Sequence, residues 1–149
     1  MNIPVLAVLI GYGTWLSVID AKTHRLPNRH VAAMSCAMVL AMAITHNQIA
    51  SLGAVLASGL GSFAVYAVVY LISRGQFGMG DVKFSLPLGL AIGALAPGHW
   101  LDGVILAFFI AGISSLALLV FKRTTRESRI AFGPYMTLAA VVTVALFGG

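Results

Sequence analysis

The 149-residue sequence has few charged side chains: 9% of its residues are Asp, Glu, Lys or Arg, whereas 60% are hydrophobic. A soluble domain carries roughly a quarter charged residues, so this chain cannot cover a surface that faces water. The mean hydropathy of +0.99 indicates an integral membrane protein. At about 20 residues a span, the length allows about six membrane helices with short loops and leaves no room for a soluble domain. We therefore predict one membrane-embedded domain over residues 1–149.

Cysteine is also scarce. The single cysteine, Cys36, lies in an apolar run, which excludes an intrachain disulfide and a four-cysteine zinc site. His24 and His30 are six residues apart around a proline-containing loop with no third ligand in view, and this argues against a metal site. The net charge of +5 does not indicate nucleic acid, because the basic residues lie between apolar runs and membrane topology explains them. We expect no metal, organic cofactor or nucleic acid.

Six apolar runs follow one another, at residues 3–19, 31–45, 49–73, 82–96, 103–121 and 130–147. The first has no basic residue ahead of it and no small-x-small cleavage pattern after it, so it is predicted to be a retained span and not a signal peptide. The fourth is short and contains Pro87. As a helix it would reach only about 22 Å, less than the roughly 30 Å hydrocarbon core. Such a helix is tolerable only where it packs against protein or lines a wet cavity.

The basic residues give the predicted topology. All nine Lys and Arg fall at residues 22–29, 74–83 and 122–129, which are the first, third and fifth connections between apolar runs. The positive-inside rule then places these connections in the cytoplasm and both termini outside. The same alternation requires the short fourth run to cross the membrane. The expected fold is all-α and polytopic, with about six transmembrane helices in the inner (cytoplasmic) membrane.

Acidic residues are the rarest charged group, with only Asp20, Asp81, Asp102 and Glu127. Asp102 maps to the outer face, and Glu127 lies in a basic segment whose arginines are its expected partners. Asp20 and Asp81 both map to the cytoplasmic edge, at the end of the first run and the start of the fourth. Each of them alone could equally be a charge that flanks a span and faces water. An ionisable pair beside lipid is costly, however, and is a functional-site hypothesis by default.

Two carboxylates at close range cannot both ionise cheaply, so they share a proton. One can then take a proton from water while the other donates to a carbonyl, which is the chemistry of aspartyl peptidases. Gly78 and Gly80, just before Asp81, would leave room for the backbone of a scissile bond. Lys83 is a further candidate contact, although two residues from Asp81 on a helix it would point roughly 200° away. Lys83 could instead serve membrane topology or contact lipid.

Three segments resemble the type IV prepilin peptidases, membrane aspartyl proteases of the glycine-x-glycine-aspartate type. They are Asp20 with Arg-Leu-Pro-Asn at 25–28, Gly-Met-Gly-Asp-Val-Lys at 78–83, and Ala-Phe-Gly-Pro-Tyr at 131–135. The resemblance implies cleavage of the leader of prepilins or pseudopilins at the cytoplasmic membrane face. It implies a catalytic pair and a set of substrate contacts, which are Asp20 and Asp81 for the pair and Gly78, Gly80, Lys83, Gly133 and Pro134 for the contacts.

Larger members of that family also carry an N-terminal cytoplasmic segment, often with paired cysteines, that is associated with N-methylation of the new terminus. This sequence shows neither, so methyltransferase activity is not expected. The short form resembles the peptidase-only members that serve Tad/Flp-type pili, or archaeal-type preflagellin peptidases. Two alternatives stay open: a presenilin-like intramembrane protease, and a transporter or assembly factor whose two acids bind protons or cations.

Overall fold

The computed structural model describes residues 2–45, 52–74, 76–121 and 131–148, and these residues form α-helices without any strand. The helices are α1 (Ile3–Thr23), α2 (Asn28–Ile44), α3 (Leu52–Ile72), α4 (Met79–Leu95), α5 (Trp100–Val120) and α6 (Gly133–Phe147). Three of them, α1, α3 and α5, have 21 residues each and are long and apolar enough to cross a membrane. The structure confirms the predicted all-α, polytopic membrane fold, while the side on which the termini lie stays a prediction.

The helices extend beyond the predicted apolar runs where polar residues continue the helical backbone. Helix α1 continues through Asp20 to Thr23, and α4 begins at Met79, so that Asp81 lies in its first turn. Both candidate acids therefore lie on helical backbone and not in loops. The predicted turn at 46–48, the start of the third run at 49–51 and the basic connection 122–129 with Glu127 lie outside the described residues.

Local signals fix the first helical hairpin. Asn2 caps α1 by accepting a hydrogen bond from the Val5 N–H, and the helix ends at Thr23, followed by His24, whose backbone is left-handed with φ of 51°. Pro27 has extended backbone and precedes the first residue of α2. A connection this short makes α1 and α2 antiparallel neighbours. The loop that contains Leu26 and Pro27 is thereby held beside the end of α1 that carries Asp20.

Helix α4 lies at the centre of the bundle and contacts each of the other five helices. Its residues from Pro87 to Leu95 are all buried. With 17 residues it spans only about 25 Å, which is short for a helix in contact with lipid. The sequence indicated that so short a helix with an internal proline must pack against protein or line a wet cavity. The structure confirms this, because α4 is enclosed by the other helices.

Small residues allow α3 and α4 to approach closely. A Cβ added to Gly89 would lie 2.7 Å from the main-chain oxygen of Ser58, which leaves no space for a side chain. One added to Gly59 would lie 2.7 Å from a methyl carbon of Leu90. Gly59 of α3 and Gly89 of α4 thus serve helix packing. The opposite faces of the helices expose large apolar side chains, such as Leu60 and Phe109, as expected for surfaces in contact with lipid.

Candidate active site

An open cavity of about 320 Å³ lies at the end of the bundle where α1 ends and α4 and α6 begin. Its lining residues are Asp20, His24, Tyr70, Gln76, Phe77, Gly78, Met79, Asp81, Ala131 and Phe132. The structure therefore brings Asp20 and Asp81, which are 61 positions apart in the sequence, to one cavity. Among the described residues they are the only carboxylates that line it.

Asp20 lies in the last turn of α1 and is only 4% exposed. Its Oδ2 accepts a hydrogen bond of 2.9 Å from the backbone N–H of Gly133, the first residue of α6. A free N–H at a helix N-terminus is well placed to hold an anion. The buried carboxylate is thus held by main chain from the opposite end of the sequence.

Asp81 lies in the first turn of α4 and is partly buried. Its backbone N–H donates to the Gly78 carbonyl oxygen at 3.1 Å. A Cβ on Gly78 would lie 2.6 Å from Asp81 Oδ2, so this glycine leaves the space that the carboxylate occupies. No group among the described residues donates a hydrogen bond to the Asp81 carboxylate, which faces the cavity.

The two carboxylates lie close enough for their negative charges to repel each other across the cavity. Such a pair holds one proton more readily than none, and it titrates as a unit. One member then serves as a proton acceptor and the other as a donor in the same cavity. This arrangement suits hydrolysis by an activated water molecule.

The other candidate residues of the 78–83 motif contact protein. A Cβ on Gly80 would lie 3.0 Å from Leu26 Cβ, so the glycine allows the α1–α2 loop to pack on α4. The Lys83 ammonium donates to Asn28 Oδ1 at 3.1 Å and thereby joins α4 to the start of α2. Neither residue lines the cavity. Their predicted contact with substrate stays a prediction.

The third motif shapes the start of α6. Pro134 lies in the first turn of this helix, where its missing N–H costs no helical hydrogen bond. It does not line the cavity, whereas Ala131 and Phe132 just before it do. Gly133 reaches the site through its N–H to Asp20. Substrate contact by Gly133 and Pro134 also stays a prediction.

Aromatic residues form one wall of the cavity, and the sequence did not predict this wall. Phe77 and Phe132 line the cavity, with ring centroids 5.2 Å apart. Behind them Phe108 lies 5.1 Å from Phe132, and Tyr66 lies 5.2 Å from Phe108. The available signals were the position of Phe77 directly before Gly78 and that of Phe132 within the 131–135 motif. Nothing in the sequence indicated that α3 and α5 would extend this aromatic wall.

The two histidines of the first basic segment have separate surroundings. His24 lines the cavity, whereas the His30 ring packs edge-on against Trp15 with centroids 4.7 Å apart. Within the described ranges, no group of three or more His, Cys, Asp or Glu side chains lies together so that it could hold a metal ion.

Fold and site together define a class: a helical membrane protein that presents two carboxylates to one open cavity at the end of its bundle. The chain belongs to the type IV leader peptidase family, whose model matches residues 7–149. This confirms the resemblance found in three short segments and identifies a type IV leader peptidase-like protease of a membrane. No curated protein and no solved structure matches the chain.

Proposed function

We propose that this protein is an aspartyl endopeptidase that removes the leader of prepilin-like proteins at the cytoplasmic face of the inner membrane. The observation that supports this most directly is the shared cavity of Asp20 and Asp81. Membership of the family supports a peptidase activity, and a pair of carboxyl groups can catalyse hydrolysis without a cofactor. N-methylation of the product is not part of the proposed activity.

In the proposed reaction, one carboxylate takes a proton from a water molecule in the cavity while the other gives its proton to the carbonyl oxygen of the scissile bond. The water oxygen bonds to the carbonyl carbon and forms a gem-diol. Collapse of this intermediate breaks the C–N bond, and a proton passes to the leaving nitrogen. The dyad returns with one shared proton, so it is ready for another turnover.

The location of the dyad favours cleavage at the membrane edge over cleavage in mid-bilayer. Asp20 is in the last turn of one helix and Asp81 in the first turn of another. The described basic residues Lys22, Arg25 and Arg74 lie near the same end of the bundle. The apolar helix of a substrate would lie among the spans in the bilayer, with its leader on the cytoplasmic side. A presenilin-like enzyme would be expected to cut within a transmembrane helix.

The test is co-expression of a prepilin with Asp20→Asn and Asp81→Asn variants, followed by sequencing of the N-terminus of the product. Each substitution keeps the shape of the side chain but removes its ability to exchange a proton. We expect cleavage to fall by at least about a thousandfold, as for the loss of a general acid or base together with its partner. Normal processing by either variant would refute the proposed mechanism.

The chain offers a matched control in Asp102. This residue is exposed at the start of α5, at the opposite end of the bundle, where its Oδ2 lies 2.8 Å from His99 Nδ1. An Asp102→Asn variant has the same chemical change far from the cavity. It should process prepilin at the wild-type rate.

A further inference from the structure

The backbone of Gly133 is held at both its N–H and its carbonyl group. Its N–H donates to Asp20 Oδ2 at 2.9 Å, and its carbonyl oxygen lies 3.3 Å from the hydroxyl of Ser17. The same hydroxyl lies 2.8 Å from Thr137 Oγ1, which in turn donates to the Gly13 carbonyl oxygen at 3.3 Å. All these partners belong to α1 or α6. The hydrogen bond to Asp20 is therefore part of a polar seam that fixes one helix against the other.

The start of α6 leaves one free donor, and that donor points at Asp20. Pro134 has no N–H. The N–H groups of Tyr135 and Met136 both donate to the Phe132 carbonyl oxygen, at 3.1 and 3.2 Å. Only the Gly133 N–H among these first residues reaches outside its own helix. With Gly-Pro at its start, α6 therefore makes one hydrogen bond to a carboxylate at its N-terminus, where the helix dipole has its partial positive charge.

The two acids differ in this respect. Asp20 faces the N-terminus of α6, and Asp81 lies at the N-terminus of α4, so proximity to a helix N-terminus alone does not separate the two. A direct hydrogen bond to a charged group has the larger effect, and among the described residues only Asp20 receives one. A charged carboxylate accepts such a bond more strongly than a protonated carboxyl group does. The bond therefore favours the charged form of Asp20 over that of Asp81.

Position 133 has no room for a side chain. A Cβ on residue 133 would lie 2.9 Å from Asp20 Oδ2 and 3.3 Å from Asp20 Cγ. Any larger residue would displace the carboxylate from the N–H that holds it. The titratable groups that share the cavity with Asp20 are Asp81 of α4, Tyr70 of α3 and His24 of α1 itself; α2, α5 and α6 contribute none among the described residues.

We propose that Gly133 is a positioning residue: its N–H holds Asp20 as the anionic, proton-accepting member of the dyad, and Asp81 carries the shared proton and donates it. This inference rests on the proposed peptidase function and deepens it, because it assigns separate roles to the two acids. In the reaction, Asp20 takes the proton from water and Asp81 protonates the carbonyl oxygen of the substrate.

The test is the pH dependence of kcat/KM for a prepilin peptide, measured with purified wild type and Gly133→Ala in lipid nanodiscs. The acid limb of the profile reports protonation of the anionic member. Loss of a hydrogen bond to a charged group should move that limb about one pH unit upward and lower kcat at the optimum by roughly 10- to 100-fold. Both enzymes are also measured in a His24→Asn background, since His24 is a further pH-sensitive group in the cavity and Asn tolerates its left-handed backbone.

Two glycines of α1 provide controls. A Cβ on Gly13 would lie 2.8 Å from Thr137 Cγ2, so Gly13→Ala disturbs the same α1–α6 seam without touching Asp20. It should lower thermal stability and leave both pH limbs in place. Gly11 has no atom within 4 Å of an added Cβ, so Gly11→Ala should behave as wild type.

An acid limb that stays in place in Gly133→Ala, or that moves equally in Gly13→Ala, would overturn the inference. If Gly133→Ala does not fold, Ser17→Ala takes its place: it loosens the Gly133 peptide without adding an atom, and a smaller upward shift of the acid limb is expected. A wild-type enzyme that cleaves no prepilin would refute the proposed function. Cleavage that depends on both acids, with an unmoved limb, would refute the role assignment alone.

Discussion

The two acids of the cavity are held in different ways. Asp20 is almost fully buried, and its carboxylate is bonded to a backbone N–H that lies 113 positions away in the chain. Asp81 is only partly buried, and its place is set by the glycine three residues before it and by contacts of α4 with the α1–α2 loop. The Asp20 carboxylate thus depends on a hydrogen bond from a distant helix, whereas Asp81 depends on a neighbouring glycine and on the packing of a loop against α4. Changes to the two should therefore differ in severity.

The largest expected difference concerns side-chain length. Asp20→Glu would push an extra methylene towards α6, where Gly133 already touches the carboxylate. Asp81→Glu would extend into the open cavity. Because a misplacement of about 1 Å can cost about a hundredfold in rate, we expect kcat to fall at least about a hundredfold for Asp20→Glu and only about tenfold for Asp81→Glu. Steady-state cleavage of a prepilin peptide measures both, and equal losses would show that the two surroundings are equally tight.

A second prediction tests the support of Asp81. Gly80→Ala places a methyl 3.0 Å from Leu26 Cβ, which is too close without a small movement of the α1–α2 loop. We expect a roughly tenfold loss in kcat and a destabilisation of about 1–3 kcal/mol, as for other overpacked contacts. Thermal unfolding in detergent together with the cleavage assay checks both quantities. The prediction fails if Gly80→Ala is as stable and active as a Gly112→Ala control, where an added Cβ meets nothing within 4 Å.

The smallest expected effect concerns the bond between Lys83 and Asn28. It lies at an exposed position, so its loss should cost only about 0.5–1.5 kcal/mol and less than about fivefold in kcat/KM. If Lys83 acts only through Asn28, then Lys83→Met, Asn28→Ala and the double variant should give the same result. A Lys83→Met variant whose KM rises while Asn28→Ala leaves KM unchanged would instead support direct contact between Lys83 and substrate. A double-mutant cycle on KM and kcat separates the two cases.

Much of the fold was predictable because the membrane imposes simple rules. A backbone in lipid must satisfy its own hydrogen bonds, so long apolar runs become helices. The interruptions at 20–30, 74–81 and 97–99 marked connections between helices. The ends of the observed helices agree with the ends of the predicted apolar runs to within about one helical turn. The exact ends were less predictable, because α1 continues past Asp20 and α4 begins before Asp81. Polarity marks where a chain leaves the lipid, and this is not always where the helix ends.

The candidate site was predictable only in part. The scarcity of acids singled out Asp20 and Asp81, and the motif around 131–135 indicated that the start of α6 belonged with them. That the Gly133 N–H would bind Asp20, and that Leu26 would pack on Gly80, had no signal in spacing or composition. The same holds for the aromatic wall behind Phe77 and Phe132, to which α3 and α5 contribute Tyr66 and Phe108.

The amino-acid sequence by itself determined the environment of this protein, the number and order of its helices, and the identity of the two acids. These properties follow from hydropathy and charge along the chain, which act locally. Only the tertiary structure decided that α4 is the central helix, that both acids face one cavity, and that a main-chain donor from α6 reaches Asp20 while none from the described part of the chain reaches Asp81. Such properties arise from contacts between helices far apart in sequence, and a linear pattern carries no record of those contacts.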